Sequence, residues 1–282
     1  MPSPIVLGDL QLFPLSDGTF RLDGGAMFGV VPKPLWERVA VPDDRNRIRL
    51  GLRPLLVLAG GRRLLIDAGM GSKWDAKARD LFGLEQPPDL LSSLAAHGLA
   101  PEDIDAVLLT HLHIDHAGGS TRRSGSGAIV PTFPRADYYV RAGEWEAATQ
   151  PNERTRASYR SEDFMPLEAA GRLRFFNDDV ELFPGVSAVR TGGHIRDHCA
   201  CFLRGGGRTA VFWADLVPTT AHVRPAWIMG YDLYPLETLA WKRHAVQQAI
   251  RERWICLFEH DPDVAAATLH GDPEKPEIHP VA

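Results

Sequence analysis

HLHIDHAGG, residues 111–119, is the stretch on which the reading of this chain turns. Of its first six residues, His111, His113, Asp115 and His116 are types that bind metal ions, and three of these are histidine, a scarce residue. The residues just before it, DAVLLT at 105–110, form a short apolar run that predicts a strand. The polar cluster then falls in a loop at a strand's carboxyl end. Residues i and i+2 share no helix face, but in such a loop they can converge, and Gly118 and Gly119 let the backbone turn away closely. A solvated polar loop accounts for the polarity of the stretch but not for three imidazoles within it, whereas a site for two adjacent cations accounts for both.

Three later residues occupy the same kind of position, just past a predicted strand: His194 in RTGGHIRDH, Asp215 in VFWADL and His260 in LFEHD. Alone, each reads as an ordinary hydrogen-bonded loop residue. In layered α/β sheets, however, groups at the carboxyl ends of strands gather in one crevice. Together with the first cluster they supply five imidazoles and two carboxylates, the borderline donor set that zinc prefers and that iron, manganese and cobalt also accept.

Outward from these residues, LLVLAG and RRLLIDAG within 54–67 predict a hairpin of buried strands about Gly60 and Gly61, with a further apolar run at 5–15. Residues 16–50 carry Gly, Pro and scattered apolar residues and read as a long loop; Met27, Phe28 and Trp36 there are candidates for a pocket wall, with core or dimer packing as the alternative. Helices are predicted at 74–82, 89–97 and about 235–252, with Asp89 and Gly98 as start and stop signals of the second. Strands are predicted at 136–140, 172–176, 186–191, 199–204, 208–213 and 254–260. Residues 142–170 read as a polar helix-and-loop insertion without a strong core pattern, placed to cover part of the site. Strand-rich and helical stretches alternate twice, which suits two similar halves packed sheet to sheet with helices outside. No repeat or composition break divides the chain, so residues 1–282 are expected to form a single domain.

THLHIDHAGG resembles the HxHxDH signature of the metallo-β-lactamase superfamily, and the downstream order of a His, an Asp and a last His also agrees. The resemblance covers about residues 50–262. It implies an α/β fold of the four-layer αββα sandwich type with a metal site at one edge of the sheets. It further implies that His111, His113 and His194 bind one metal, that Asp115, His116 and His260 bind a second, and that Asp215 bridges them. Asp67, in LLIDAGMG, resembles the family's aspartate that supports a ligand histidine, a turn-forming Asp before Gly being the alternative. His198 resembles the second histidine of a recurrent loop, with a supporting role.

Two divalent ions, most simply zinc, would lower the pKa of a shared water, present hydroxide as the nucleophile and polarise the substrate oxygen. The expected reaction is hydrolysis of a lactone or related carboxylic ester. Asp115 belongs to the catalytic set as well as to the metal set. His222 and Tyr231, close after Asp215, could donate a proton or hydrogen bond to the substrate, or simply be structural residues of a loop. Within the superfamily, redox diiron members carry HxExDH, and His113 stands where that Glu would be. Glyoxalase II, a thioesterase, shares the motif but uses a helical C-terminal extension, for which the residues after His260 leave little material. The quorum-quenching lactonase and organophosphate-hydrolase branch is the nearest in appearance. Phosphotriester or thioester hydrolysis is the alternative activity, and a catalytically inactive metal-binding interaction protein the alternative class.

The formal net charge of -5 disfavours nucleic acid and anionic membrane as partners, since either requires clustered positive charge, and leaves a small-molecule substrate. Three cysteines, an odd number, imply no disulfide framework. The N-terminal MPSPIVLGDLQLFPL has no basic start followed by an apolar run, and no stretch of about 18 uninterrupted apolar residues occurs. The expected location is the cytoplasm. The family resemblance also suggests a homodimer.

Overall fold

The computed structural model of the protein describes residues 4–281. Its first half contains β1 (Ile5–Leu7), β2 (Leu10–Pro14), β3 (Thr19–Asp23), α1 (Gly24–Phe28), α2 (Lys33–Trp36), β4 (Arg47–Gly51), β5 (Leu55–Ala59) and β6 (Arg62–Ile66). Next come α3 (Ala76–Leu81), α4 (Leu90–Ala96), β7 (Ala106–Leu108), α5 (Ile114–Ala117), β8 (Thr121–Arg123), β9 (Ile129–Pro131), β10 (Asp137–Arg141), α6 (Ala142–Thr149), α7 (Ser161–Ala169) and β11 (Leu173–Phe176). The second half adds β12 (Val180–Phe183), β13 (Val186–Arg190), β14 (Cys199–Gly205), β15 (Arg208–Phe212), α8 (Pro235–Glu252), β16 (Ile255–Leu257), β17 (Ala266–His270) and β18 (Glu277–Pro280).

Two seven-stranded sheets result, ordered β1-β2-β5-β6-β7-β10-β11 and β12-β13-β14-β15-β16-β17-β18. Their central strands are apolar at almost every position because both faces are covered, and the side-chain period of two divides each strand between two cores. On β6, Leu64 and Ile66 face the other sheet while Leu65 faces the helices; on β15, Ala210 and Phe212 face inward while Val211 faces outward. The outer core of the first sheet is completed by Leu90 and Leu94 of α4, Ala148 of α6, and Phe164 and Leu167 of α7. That of the second is completed by Ala245, Val246 and Ala249 of α8. The layers therefore run helix, sheet, sheet, helix, the αββα sandwich expected. Cys199, Cys201 and Cys256 are free and buried in these cores.

Two expectations need correction. Residues 16–50 are not a loop throughout: β3 and β4 pair antiparallel from Thr19↔Gly51 to Asp23↔Arg47, and α1 and α2 lie between them. TFRLD and RIRLG alternate apolar with charged residues, the pattern of a half-buried strand, but the Gly and Pro between them obscured it. This unit has its own core, with Phe20, Met27, Phe28, Trp36, Ile48 and Leu50 buried against Met70 and Met229. Residues 142–170 are a helix-and-loop segment but do contribute to the core, through Ala148, Phe164 and Leu167. No helix among the described residues is long and apolar enough to cross a membrane.

The glycines of the 111–119 stretch serve close packing rather than unusual dihedral angles. Neither has a positive φ, but a Cβ on Gly118 or Gly119 would collide with the backbone carbonyl of Met70 or Ala68. Gly119 N donates to Gly69 O at 3.0 Å and Ala68 N to His116 O at 2.7 Å, which laces the loop after β7 to the loop after β6. Backbone cannot yield as a side-chain tip can. Gly119→Ala is therefore expected to destabilise the protein by about 1–3 kcal/mol in urea unfolding. Gly125→Ala, where an added Cβ meets nothing within 4 Å, should leave the midpoint unchanged.

Candidate metal centre

Strands β13, β15 and β16 all run in one direction, since β13 and β15 are each antiparallel to β14 and β16 is parallel to β15. Their carboxyl ends therefore share one edge, and His194, Asp215 and His260 lie just beyond those ends. The loop after β7 meets that edge from the other sheet. Two groups of ligand-type atoms form there, each with all atoms within 4.8 Å of one another: His111, His113, His194 and Asp215, and Asp115, His116 and His260. All seven residues singled out in the sequence are thus in the site, although 149 positions separate the first from the last.

The Asp215 carboxylate lies between the groups. Its Oδ2 is 3.1 Å from His194 Nε2 and 3.7 Å from His111 Nε2, while Oδ1 is 3.1 Å from His260 Nε2 and 3.4 Å from His116 Nε2. Imidazole nitrogens also face one another: His111 Nε2 and His194 Nε2 each lie 3.1 Å from His113 Nδ1, and His260 Nε2 lies 3.1 Å from His116 Nε2. Such contacts bring lone pairs together with few protons to share, and buried Asp215 Oδ1 has no hydrogen-bond partner. This donor set fits divalent cations, which would replace those missing protons. Asp115 completes the second group at 3.7 Å from His260 Nε2 and 3.9 Å from His116 Nε2.

Four of the five imidazoles are held from behind. His111 Nδ1 is 3.1 Å from Thr110 Oγ1, His194 Nδ1 is 3.0 Å from Asp232 Oδ1, and His260 Nδ1 donates to Gly51 O at 2.9 Å. His116 Nδ1 donates to Asp67 Oδ2 at 3.0 Å, and Asp67 also accepts from Thr110 N at 2.8 Å and Thr110 Oγ1 at 2.7 Å. Asp67 thus takes the supporting geometry, at a left-handed φ of 55°. His198 sits one step further out: its Nε2 accepts from Asp215 N at 3.2 Å, and its Nδ1 is 2.6 Å from Thr191 Oγ1.

Electrostatics divide the imidazoles. Burial, reinforced by neighbouring imidazoles, holds His111 and His113 well below the usual histidine range. Burial also pulls on His116 and His260, but carboxylates outweigh it: Glu259, Asp215 and Asp115 push His116 well up, and Asp215 with Asp115 pushes His260 to about 9. Burial would raise Asp215, yet His116, His194 and His260 hold it well below the carboxylate range.

A cavity of about 550 Å³ opens over these groups. His113, Asp115, His194, Asp215 and His260 form its polar floor; Phe20, Leu22, Met27, Leu50, Met229 and Leu233 supply apolar walls. Arg154, Thr155, Ala157 and Ser158 close one side, so the 142–170 segment covers part of the site as expected. Tyr231 also lines the cavity, and burial lifts its hydroxyl to about 12, leaving it a neutral donor.

His222 does not reach the cavity, which corrects its expected role at the substrate. Its Nδ1 is 2.7 Å from Thr219 Oγ1 and its Nε2 donates to Met27 O at 2.8 Å, so both ring nitrogens are occupied. The ring stacks on Phe28 at 4.7 Å, and Phe28 stacks on Trp36 at 5.4 Å. Phe28 and Trp36 thus lie behind the wall, and Met27 alone of the three forms part of it.

Sequence reasoning missed Asp232, Glu144 and Glu259. Glu144 Oε1 accepts from Leu112 N at 2.8 Å, between His111 and His113, and its Oε2 accepts from Tyr159 Oη at 3.3 Å. Glu259 is buried 3.0 Å from His116 Nδ1. Glu259 and Asp232 adjoin His260 and Tyr231, but adjacency alone does not distinguish a support from a solvated acid.

Residues 55–260 match the Metallo-beta-lactamase superfamily. A solved structure described as a probable metal-dependent hydrolase from Staphylococcus aureus superposes with a TM-score of 0.91 and 33% identity, covering 99% of both chains. Among curated proteins, a ribonuclease of Thermus thermophilus is 32% identical over 165 residues, 57% of this chain and 34% of that protein. An N-acyl homoserine lactonase of Bacillus sp. is 31% identical over 109 residues, 39% of this chain and 36% of that protein. The chain thus spans about a third of the length of these two curated relatives. By its matched residues, its layered sheets and its histidine-aspartate cluster, the chain belongs to the metallo-beta-lactamase superfamily.

Proposed function

We propose that the protein is a dinuclear hydrolase acting on a lactone or related carboxylic ester with an apolar chain. His111, His113 and His194 would hold one cation, Asp115, His116 and His260 the other, and Asp215 both. The observation that carries this reading is the Asp215 carboxylate, with one oxygen 3.1 Å from His194 Nε2 and the other 3.1 Å from His260 Nε2, at the floor of an apolar cavity. Five imidazoles and two carboxylates suit zinc best, and also iron, manganese or cobalt. When bound, a pair of such ions supplies a hydroxide nucleophile near neutral pH and Lewis acidity toward the substrate oxygen.

The chain's own residues bind and orient the substrate. Phe20, Leu22, Leu50, Met229 and Leu233 exclude water and receive an acyl chain, which favours the ester reading over a compact phosphotriester. Tyr231 stays protonated across the working pH range and can donate its hydroxyl hydrogen to the substrate or leaving oxygen. Resemblance in sequence to the Bacillus lactonase supports the same class.

The decisive experiment is a hydrolysis screen of lactones, thioesters, phosphotriesters and β-lactams with protein of measured metal content. Turnover of lactones by protein holding two equivalents is the expected result. Preference for another class would move the substrate assignment, and metal-loaded protein without any turnover would favour a binding module. His113→Ala should lose metal and lower kcat by on the order of 10³-fold.

Tyr231→Phe is expected to lower kcat by about 10²-fold with metal content unchanged. His222→Leu, by contrast, should cost about 1–3 kcal/mol of stability, measured by urea unfolding, while the folded fraction keeps its kcat.

In the metal-free site carboxylates raise the pKa of His116, His194 and His260 despite burial, that of His260 to about 9. Ligation requires neutral imidazoles, so metal affinity should rise with pH, up to about 9 where His260 titrates, with protons released on binding. Calorimetry in buffers of different ionisation enthalpy reads this release, and a pH-independent affinity between 6 and about 9 would contradict it.

A further inference from the structure

Glu259 is fully buried, and neither of its carboxyl oxygens has a hydrogen-bond partner among the described residues. Its Oε2 nevertheless lies 3.0 Å from His116 Nδ1, whose N–H is directed at Asp67 Oδ2, also at 3.0 Å. Asp67 has a full set of partners in Thr110 N, Thr110 Oγ1 and His116. It therefore needs nothing from Glu259. Asp67, His116 and Glu259 form a third close group, with one atom from each within 4.8 Å of the others, on the side of the His116 ring away from Asp215. A carboxyl group held without solvent at such a place is costly, and the fold must retain it against that cost.

Its neighbours suggest what it does. Glu259 follows β16 and immediately precedes His260, while its carboxyl reaches His116. Both histidines belong to the group formed with Asp115. No contact joins Glu259 to His111, His113 or His194 among the described residues. We infer that Glu259 is a positioning residue for the Asp115–His116–His260 group, bracing the His116 imidazole on the flank that Asp67 leaves open and tying it to the backbone that carries His260. This rests on the two-cation reading above. It adds that the two positions depend on different supports, so that one can be weakened without the other.

The test is metal binding by the purified full chain, read by chelator competition with zinc and by metal analysis, with hydrolysis recorded alongside. Glu259→Leu should weaken one of two zinc equivalents by about 10- to 100-fold and leave the other at wild-type affinity. Glu259→Gln, which keeps the length and the polar atoms of the side chain, should restore both. Glu259→Asp, one methylene shorter, should fall on the side of Leu, and it serves where the Leu variant does not fold. Two equivalents at wild-type affinity in Leu or Asp would overturn the inference, as would equal weakening of both equivalents or failure of Gln to rescue. Wild-type protein that binds fewer than two equivalents would instead overturn the dinuclear reading, and the brace with it.

Discussion

The charge on Asp215 is the interaction from which the rest of the centre follows. A carboxylate at this depth is tolerated only if opposite charge surrounds it, and here imidazole nitrogens from both sheets converge on its two oxygens. The backbone bends to present it: Ala214 has a left-handed φ of 46°, and Asp215 N–H is given to His198 rather than to a neighbouring strand. A non-glycine residue in that region stores strain that surrounding structure must hold in place. The same device recurs at Asp67, the other acid that follows a central strand. Both supports of the centre therefore come from loops forced into uncommon dihedral angles by well-packed strands beneath them.

Rigidity in the 111–121 loop comes largely from the outer layer. Glu144 on α6 accepts the Leu112 N–H, and Tyr159 packs its ring 5.0 Å from that of His113. At the other end, buried Lys73 donates to the carbonyls of Gly118 and Thr121 and pairs with buried Asp163 of α7 at 3.0 Å. A segment that reads as a polar insertion thus clamps both ends of the loop that carries four of the seven ligand-type side chains. Its charged residues read as solvated surface, yet several are buried partners. Charged residues are seldom fully buried unless paired, and their partners lie far away in sequence.

The parts legible in the sequence were those governed by short-range patterns. Central strands such as LLVLA and RTAVF revealed themselves by apolar runs, and Asp89 and Gly98 bounded α4 as cap and stop. The seven converging residues were legible because imidazoles and acids after strands are chemically distinctive. What escaped notice depends on partners far apart in the chain. His222 looks like a catalytic histidine until Met27 O, 195 residues away, is seen to accept its Nε2 proton. Gly118 and Gly119 read as residues that let the backbone turn away, but the Met70 and Ala68 carbonyls against them are what demand glycine. The TFRLD and RIRLG strands had the right alternation, but their pairing is set by a core shared with Met70 and Met229.

The supports behind the imidazoles also make the two groups unequal. Behind His111 stands a hydroxyl, and His113 has no carboxylate at its back; only His194, through Asp232, is backed by an acid. The other group contains Asp115 itself, and the His116 N–H is given to the Asp67 carboxylate. On the proposed assignment, the cation between Asp115, His116 and His260 would be the better neutralised, since negative charge both within the ligand set and behind it strengthens donation. The cation on the imidazole-rich side would keep more of its charge and polarise a substrate oxygen more strongly. The apolar walls suit this division of work, because Phe20, Leu22 and Met229 would keep competing water from a substrate carbonyl held beside that ion.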